Sequence, residues 1–264
     1  MSGMIGNLLA GKRGLIMGVA NERSIAWGIA AAAATQGAEL AFSYQIESFG
    51  KRLQPLAESV NSDILIECDV AHKGAVQRCF ETLSEHWKTI DFVVHALGFS
   101  DKNELKGPYL NTSRENFSST MMVSAFSFTE TAQCARMMMP DGGALLTLSY
   151  IGAQRIAPNY NVMGVAKAAL ESSIRYLAVD LGGENIRVNG LSAGPMKTLA
   201  GAAITGARHI YRYSEDAAPL NRNPDIHEVG KSGLYLISDL SSGVTGETHF
   251  VDGGFNTIGV PREL

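Results

Sequence analysis

A tyrosine and a lysine seven residues apart, Tyr160 and Lys167, give this 264-residue chain a candidate proton-transfer pair. On a 3.6-residue helix, seven residues is close to two turns, so a helix over 159–181 would carry phenol and ammonium on one face. An ammonium held near a phenol favours the phenolate, which lowers the phenol's pKa and makes the hydroxyl a better donor to a developing oxyanion. Gly164 lies between them and is expected to leave that face open to a flat ring. Tyr150 follows an apolar strand, Ala144 to Leu148, and brings a second phenol to the same mouth. A plainer reading stays open on these residues alone: an amphipathic helix with a buried tyrosine and a lysine whose stem lies along apolar surface. His95, inside an apolar strand, reads as a hydrogen-bonded core histidine, and the methionines at 121–122 and 137–139 read as packing.

A second constellation follows the first expected strand, Leu15 to Val19. Gly18, five intervening residues, Ser24, Ile25 and then Gly28 look like a nucleotide-binding turn, although not a G-x-G-x-x-G. Gly18 would permit the tight turn. Ser24, as helix cap, and the N–H groups beyond it would face a pyrophosphate, and Gly28 would allow close helix–sheet contact. At the end of the second strand, an acid would bind the ribose hydroxyls of NAD and an arginine the extra phosphate of NADP. The chain has Ser43-Tyr44-Gln45 there, with Lys51 and Arg52 only on the next helix, so NADH is favoured.

These residues need elements to hold them. Strands are expected at 15–19, 39–44, 63–68, 91–96, 144–148, 187–192 and 249–251. Helices are expected at 25–35, 48–60, 72–87, from Arg114 onward, 159–181 and 226–237. Strand and helix alternate at roughly 25-residue spacing, the pattern of βαβ units. The fold class is therefore α/β: a single-domain Rossmann-type doubly wound parallel sheet of about seven strands, spanning residues 1–264, with its crevice at the strands' carboxyl ends. Between Glu115 and Arg136 only Glu130 is charged, and a helix on one sheet face should show a polar stripe. Its outer face is expected to meet another subunit.

Composition narrows the function classes. A hydrophobic content of 45% with 18% charged residues suits a large core, and a net charge of −4 argues against a nucleic-acid partner. Cys68, Cys79 and Cys134 sit in apolar segments without metal-ligand spacing, so reduced buried thiols and no metal are expected. The N-terminal residues lack a basic start before an apolar run, and no stretch of 18 apolar residues occurs. A cytoplasmic protein without a signal peptide or membrane span is the expectation.

Six motifs in order carry a resemblance. They are G-V-A-N-E-R-S-I-A-W-G at 18–28, C-D-V at 68–70, L-G-F at 97–99, Y-N-V-M-G-V-A-K at 160–167, S-A-G-P-M-K-T-L-A at 192–200 and V-D-G-G-F at 251–255. Together they resemble the short-chain dehydrogenase/reductase superfamily. Within it, they resemble the enoyl-[acyl-carrier-protein] reductases of bacterial fatty-acid synthesis. Many members of the superfamily carry a serine at the end of the strand before the Tyr-x6-Lys helix, whereas here Tyr150 follows Ser149. The resemblance implies NADH-dependent reduction of the trans-2 double bond of enoyl thioesters carried on acyl carrier protein.

It also implies roles. Tyr150, Tyr160 and Lys167 would be catalytic, and Ser100, Tyr150 and Tyr160 would bind substrate. Gly18, Ser24, Ile25, Gln45, Asp69, Val70, Leu97, Lys167, Met196, Lys197, Thr198, Leu199 and Ala200 would hold the cofactor. A segment at about 198–213 would close over the acyl chain, and the family's assembly would be a homotetramer. Apart from the resemblance, Arg208 and Arg212 are four residues apart and share a face, which suits docking of the acidic carrier; two solvated arginines are the plainer reading. Two alternatives remain open: a reductase of ketones or 3-keto thioesters, and a non-catalytic NAD-binding sensor.

Overall fold

The computed structural model describes residues 7–202 and 206–260. Residues 203–205, within the expected lid, and residues 1–6, at the expected leaderless N-terminus, lie outside them. The described strands are β1 (Arg13–Met17), β2 (Glu39–Tyr44), β3 (Leu65–Glu67), β4 (Phe92–His95), β5 (Gly143–Ser149), β6 (Ile186–Ala193) and β7 (Thr248–Val251). They form one sheet in the order β3-β2-β1-β4-β5-β6-β7, every neighbouring pair parallel. The chain winds outward from β1 to β3 and returns to β4 on the other side of β1. The order therefore reverses between β1 and β4, where a doubly wound sheet opens its crevice.

Both sheet faces are covered, which is why the strands read as near-continuous apolar runs. Leu15, Met17, Val93, Leu145 and Val188 pack on one side against α3 (Ala75–His86), α5 (Ser127–Arg136) and α6 (Val162–Gly182). Ile16, Phe42, Phe92, Val94, Leu146 and Leu191 pack on the other against α1 (Ile25–Ala34), α2 (Glu47–Ser59) and α9 (Ile226–Ile237). Gly28 does not meet the sheet as expected. It lies in the crossing of α1 with α9, where a Cβ at Gly28 would come within 2.6 Å of Ile226 and one at Gly230 within 2.4 Å of the Gly28 carbonyl.

The expected single helix after Arg114 is interrupted. It runs as α4 (Arg114–Met121), a π-type turn (Met122–Phe126) and α5. Ser127 and Thr131 donate their hydroxyls to the carbonyls of Val123 and Ser127, the i−4 back-bonding that bends helices. Beyond β6 come α7 (Leu199–Ala202) and α8 (Ala207–Ala217), so the weakly helical lid region carries a more extended helix than expected. Cys68 and Cys79 are buried, whereas Cys134 is partly exposed. No helix among the described residues is long and apolar enough to cross a membrane, and none of their His, Cys, Asp and Glu side chains cluster as a metal site.

Candidate active site

The first βα turn is built around Gly18, whose φ is +100°. A Cβ there would sit 2.2 Å from the Ala96 carbonyl oxygen at the end of β4, so only glycine lets β1 and β4 come this close at the crevice. Ser24 occupies the N-cap position of α1 but does not cap it. Its hydroxyl instead accepts from the N–H groups of Ala20 and Asn21, at 3.0 and 3.1 Å, and closes the loop on itself. In the first turn of α1 the Trp27 N–H is already bonded to the Ser24 carbonyl at 2.9 Å, which leaves the N–H groups of Ile25 and Ala26 without an intrahelical partner.

At the end of β2, Gln45 is exposed and its amide donates to Asp69 at 3.3 Å. The Asp69 carboxylate also accepts from the Ala71 N–H, while Val70 is buried in the core. The structure thus brings Gln45 and Asp69 together on the β2 side of the sheet.

The sequence reading placed Tyr160 on a helix two turns from Lys167. Tyr160 in fact precedes α6, in a turn that follows Pro158. The turn is bracketed by Asn159 and Asn161, both with positive φ (60° and 40°), a conformation asparagine tolerates better than most residues. Asn161 anchors the turn by donating its amide to the Leu105 and Gly107 carbonyls, at 3.3 and 3.0 Å. Gly164 does not open a face to a ligand ring either, because a Cβ there would meet the Gly152 carbonyl oxygen at 2.8 Å. The glycine that clears room for a ring is Gly152, where a Cβ would come within 2.5 Å of the Tyr160 ring. Tyr150 leaves the end of β5 and meets that ring edge-on, with centroids 5.0 Å apart.

Tyr160 and Lys167 are only 8% and 7% exposed. Burial, followed by the nearby Tyr150, pushes the Tyr160 phenol up, opposite to the lowering expected from a neighbouring ammonium. Burial also pushes the Tyr150 phenol up. Burial lowers Lys167 to about 8, opposed by the charge of Glu171. The ammonium donates to the Leu148 carbonyl at 2.8 Å and to the Leu97 carbonyl at 3.4 Å, which ties α6 to the ends of β5 and β4.

His95 is the core histidine expected. It is fully buried, and its ring nitrogens lie 3.0 Å from the Thr147 hydroxyl and 2.8 Å from the Ser127 hydroxyl.

Ser100 turns its hydroxyl to Asn116 at 3.2 Å, and the same amide oxygen accepts from the Asp101 N–H. Asn116 thereby fixes the loop after β4, a role the sequence reading missed. Ser124 does the same one residue pair earlier, accepting from the Phe99 N–H at 3.0 Å. After β6, Met196 is partly buried and Lys197 lies over the Tyr211 ring at 4.9 Å. The Thr198 hydroxyl accepts from the Gly201 N–H, Leu199 is half-exposed, and Ala200 lies within α7. Glu171 was also missed. It is buried on α6, four residues beyond Lys167, and accepts from the Ser149 hydroxyl at 2.6 Å and the Gln154 amide at 2.9 Å. Its i, i+4 spacing from Lys167, in a run of small and apolar residues, is the signal that would have found it.

The chain is similar to known proteins over nearly its whole length. The family model described as Enoyl-(Acyl carrier protein) reductase matches residues 18–256. Enoyl-[acyl-carrier-protein] reductase [NADH] 2 of Rhizobium meliloti is 59% identical over 96% of this chain and 95% of its own length. The crystal structure of FabI from Candidatus Liberibacter asiaticus is 57% identical and superposes with a TM-score of 0.95, covering 97% of this chain and all of that one. The Anaplasma phagocytophilum reductase, solved in complex with NAD, is 51% identical with a TM-score of 0.94 and 98% of each chain covered. On the family model and these relatives together, the chain belongs to the enoyl-(acyl carrier protein) reductase family.

Proposed function

We propose that this protein uses NADH to reduce the trans-2 double bond of enoyl thioesters carried on acyl carrier protein, in the elongation cycle of bacterial fatty-acid synthesis. The observation that carries the reading is the convergence of Tyr150, Tyr160 and Lys167 around the carboxyl ends of β4 and β5, across the crevice from the Gly18 turn. The cradle fits a dinucleotide: a turn that a Cβ would fill, uncapped N–H groups at the start of α1, and a carboxylate at Asp69. When bound, NADH supplies the hydride that adds to the β carbon.

Negative charge then gathers on the thioester oxygen as an enolate, and a proton added at the α carbon completes the saturated acyl thioester. A phenol whose pKa is raised stays protonated through the physiological range, so Tyr160 serves that oxygen as a hydrogen-bond donor and not as a phenolate. Tyr150, packed against it, orients the acyl group. An ammonium has three donors, and two of those of Lys167 are used by Leu148 and Leu97. The third suits the nicotinamide ribose hydroxyls, and its charge keeps the local field positive. Gly18, Ser24, Ile25 and residues 196–200 line the pyrophosphate and nicotinamide side in this reading. Leu97 lies by the ribose, and Gln45, Asp69 and Val70 lie at the adenine end. Ser100 flanks the substrate through its loop, because its hydroxyl is engaged by Asn116.

Finer features belong to the same reading. The segment at about 198–213 covers the acyl chain. Exposed Arg208 and Arg212 share one face of α8 and suit an acidic carrier. Phe117, Met122, Phe126, Tyr176 and Val179 stay exposed on α4, the π-type turn and α6, which supports a homotetramer formed through these helices. A cytoplasmic setting suits the three free thiols.

NADPH is the alternative cofactor. The Bacillus cereus relative, 44% identical, was solved with NADP+. The test is consumption of NADH, followed by absorbance, with a crotonyl thioester, repeated with NADPH and with a 3-keto thioester. Consumption with the crotonyl thioester is expected, and consumption with the 3-keto thioester alone would replace this reading.

A further inference from the structure

Bonded to the segment that carries Tyr150 is a buried carboxylate that the proposed chemistry does not use. Glu171 is 5% exposed on α6, one helical turn beyond Lys167. Its two oxygens are divided. One accepts from the hydroxyl of Ser149, the last residue of β5, at 2.6 Å, and the other from the Gln154 amide at 2.9 Å. Ser149 immediately precedes Tyr150, and Gln154 closes the short turn at 151–153 that follows it. Both ends of the segment bearing Tyr150 are thus fastened to one point on the helix bearing Lys167.

We propose that Glu171 is a positioning residue for the reaction, its carboxylate clamping the Tyr150 segment at both ends to the Lys167 helix. This rests on the function proposed above. A buried carboxylate is costly unless its oxygens are hydrogen-bonded, and a purely structural tie in this place is served as well by neutral groups. The charge has a use here. Of the other titratable groups in the site, His95 on β4 feels the Lys167 charge and is held neutral with a pKa of about 3, and the phenols of Tyr150 and Tyr160 are both pushed up. None of them carries charge near neutrality. Glu171 is the carboxylate that favours the ammonium against the burial that opposes it.

Two consequences separate the clamp from the charge. Glu171→Gln keeps size and hydrogen-bonding capacity, because the serine hydroxyl can turn to accept from an amide, but removes the charge. Glu171→Ala removes the clamp, and Gln154→Ala cuts one arm of it at an exposed position, where misfolding is not a concern. The experiment measures NADH affinity by fluorescence and crotonyl-thioester turnover from pH 6 to 10 in the wild type and the three variants. In Glu171→Gln, the basic limb of both profiles is expected to move down by about one pH unit. In Glu171→Ala and Gln154→Ala, kcat is expected to fall by about tenfold, with NADH affinity at neutral pH near wild type in Gln154→Ala, which keeps the charge, and the basic limb moved as in Glu171→Gln in Glu171→Ala, which does not. An unmoved NADH-binding profile in Glu171→Gln, or wild-type kcat in both alanine variants, would overturn the proposal. The binding profile needs no turnover, so a wild type inactive on crotonyl thioester would count against the proposed reaction alone.

Discussion

The edge of the Tyr150 ring packs against Tyr160 at 5.0 Å and 70°, in the space that Gly152 leaves empty. The two phenols therefore form one rigid unit, and their environment keeps both protonated. In such a unit the hydroxyl of Tyr160 can be deleted without disturbing the ring. Tyr160→Phe is expected to lower kcat by about 10²–10³-fold, the usual cost of one oxyanion donor. NADH affinity should stay near wild type. Steady-state kinetics together with a fluorescence titration check both parts, and unchanged turnover would remove Tyr160 from the chemistry.

Lys167 makes two kinds of contribution, so its loss should show in two measurements. Lys167→Ala removes the ties to Leu148 and Leu97 as well as the charge, and both kcat and NADH affinity are expected to fall. In the wild type, activity should decline as pH rises through about 8, where the buried ammonium loses its proton. A pH–rate profile flat to pH 10 would contradict this.

The Gly18 turn is tested by adding one methyl group. Gly18→Ala would place a Cβ 2.2 Å from the Ala96 carbonyl oxygen at a φ of +100°. A backbone conformation of that kind costs about 1–3 kcal/mol before the clash is counted. A lower denaturation midpoint and loss of NADH binding are expected, whereas a variant with normal affinity would show that the turn does not shape the dinucleotide site.

His95 sets a pH dependence of stability. Burial, and then the charge of Lys167, lower it from the ordinary 6.5 to about 3. Between those values the unfolded chain binds the extra proton, so stability rises with pH through this window and is lost as pH falls toward 3. Urea midpoints for the wild type should drop between pH 7 and pH 4.5, and by less in His95→Gln. Equal drops would show that His95 does not govern the acid limb.

Carrier docking predicts an unequal loss. Reversing both exposed charges, Arg208→Glu with Arg212→Glu, should raise KM for a carrier-linked enoyl substrate more than for the coenzyme A thioester. An equal effect on the two would remove α8 from carrier recognition.

The sequence made some of this legible and hid the rest for physical reasons. The bounds of β2 and α9 were readable directly. The first is an apolar run ending in a turn, and the second opens on Asp225 and Glu228, which form a capping box. The places of Gly18 and Tyr150, directly after β1 and β5, were readable too, because each follows an apolar run that forms a strand. The helix start was not, because periodicity assumed a helix through Tyr160 where Pro158 and two left-handed asparagines hold a turn. Nor was the role of Gly152, since a close approach between distant segments leaves no local pattern. The direction of the phenol's shift was misread for a related reason. Charge proximity was legible from spacing, whereas the burial that outweighs it exists only in the folded chain.

The central claim is a hydride delivered to the β carbon of a conjugated thioester, and isotopic labelling reads it most directly. With NADH deuterated at its transferable position and a crotonyl thioester, mass spectrometry and NMR of the product should find deuterium at carbon 3 of a saturated acyl group. Deuterium on a carbinol carbon, or an unreduced double bond after prolonged incubation with intact protein, would contradict the account.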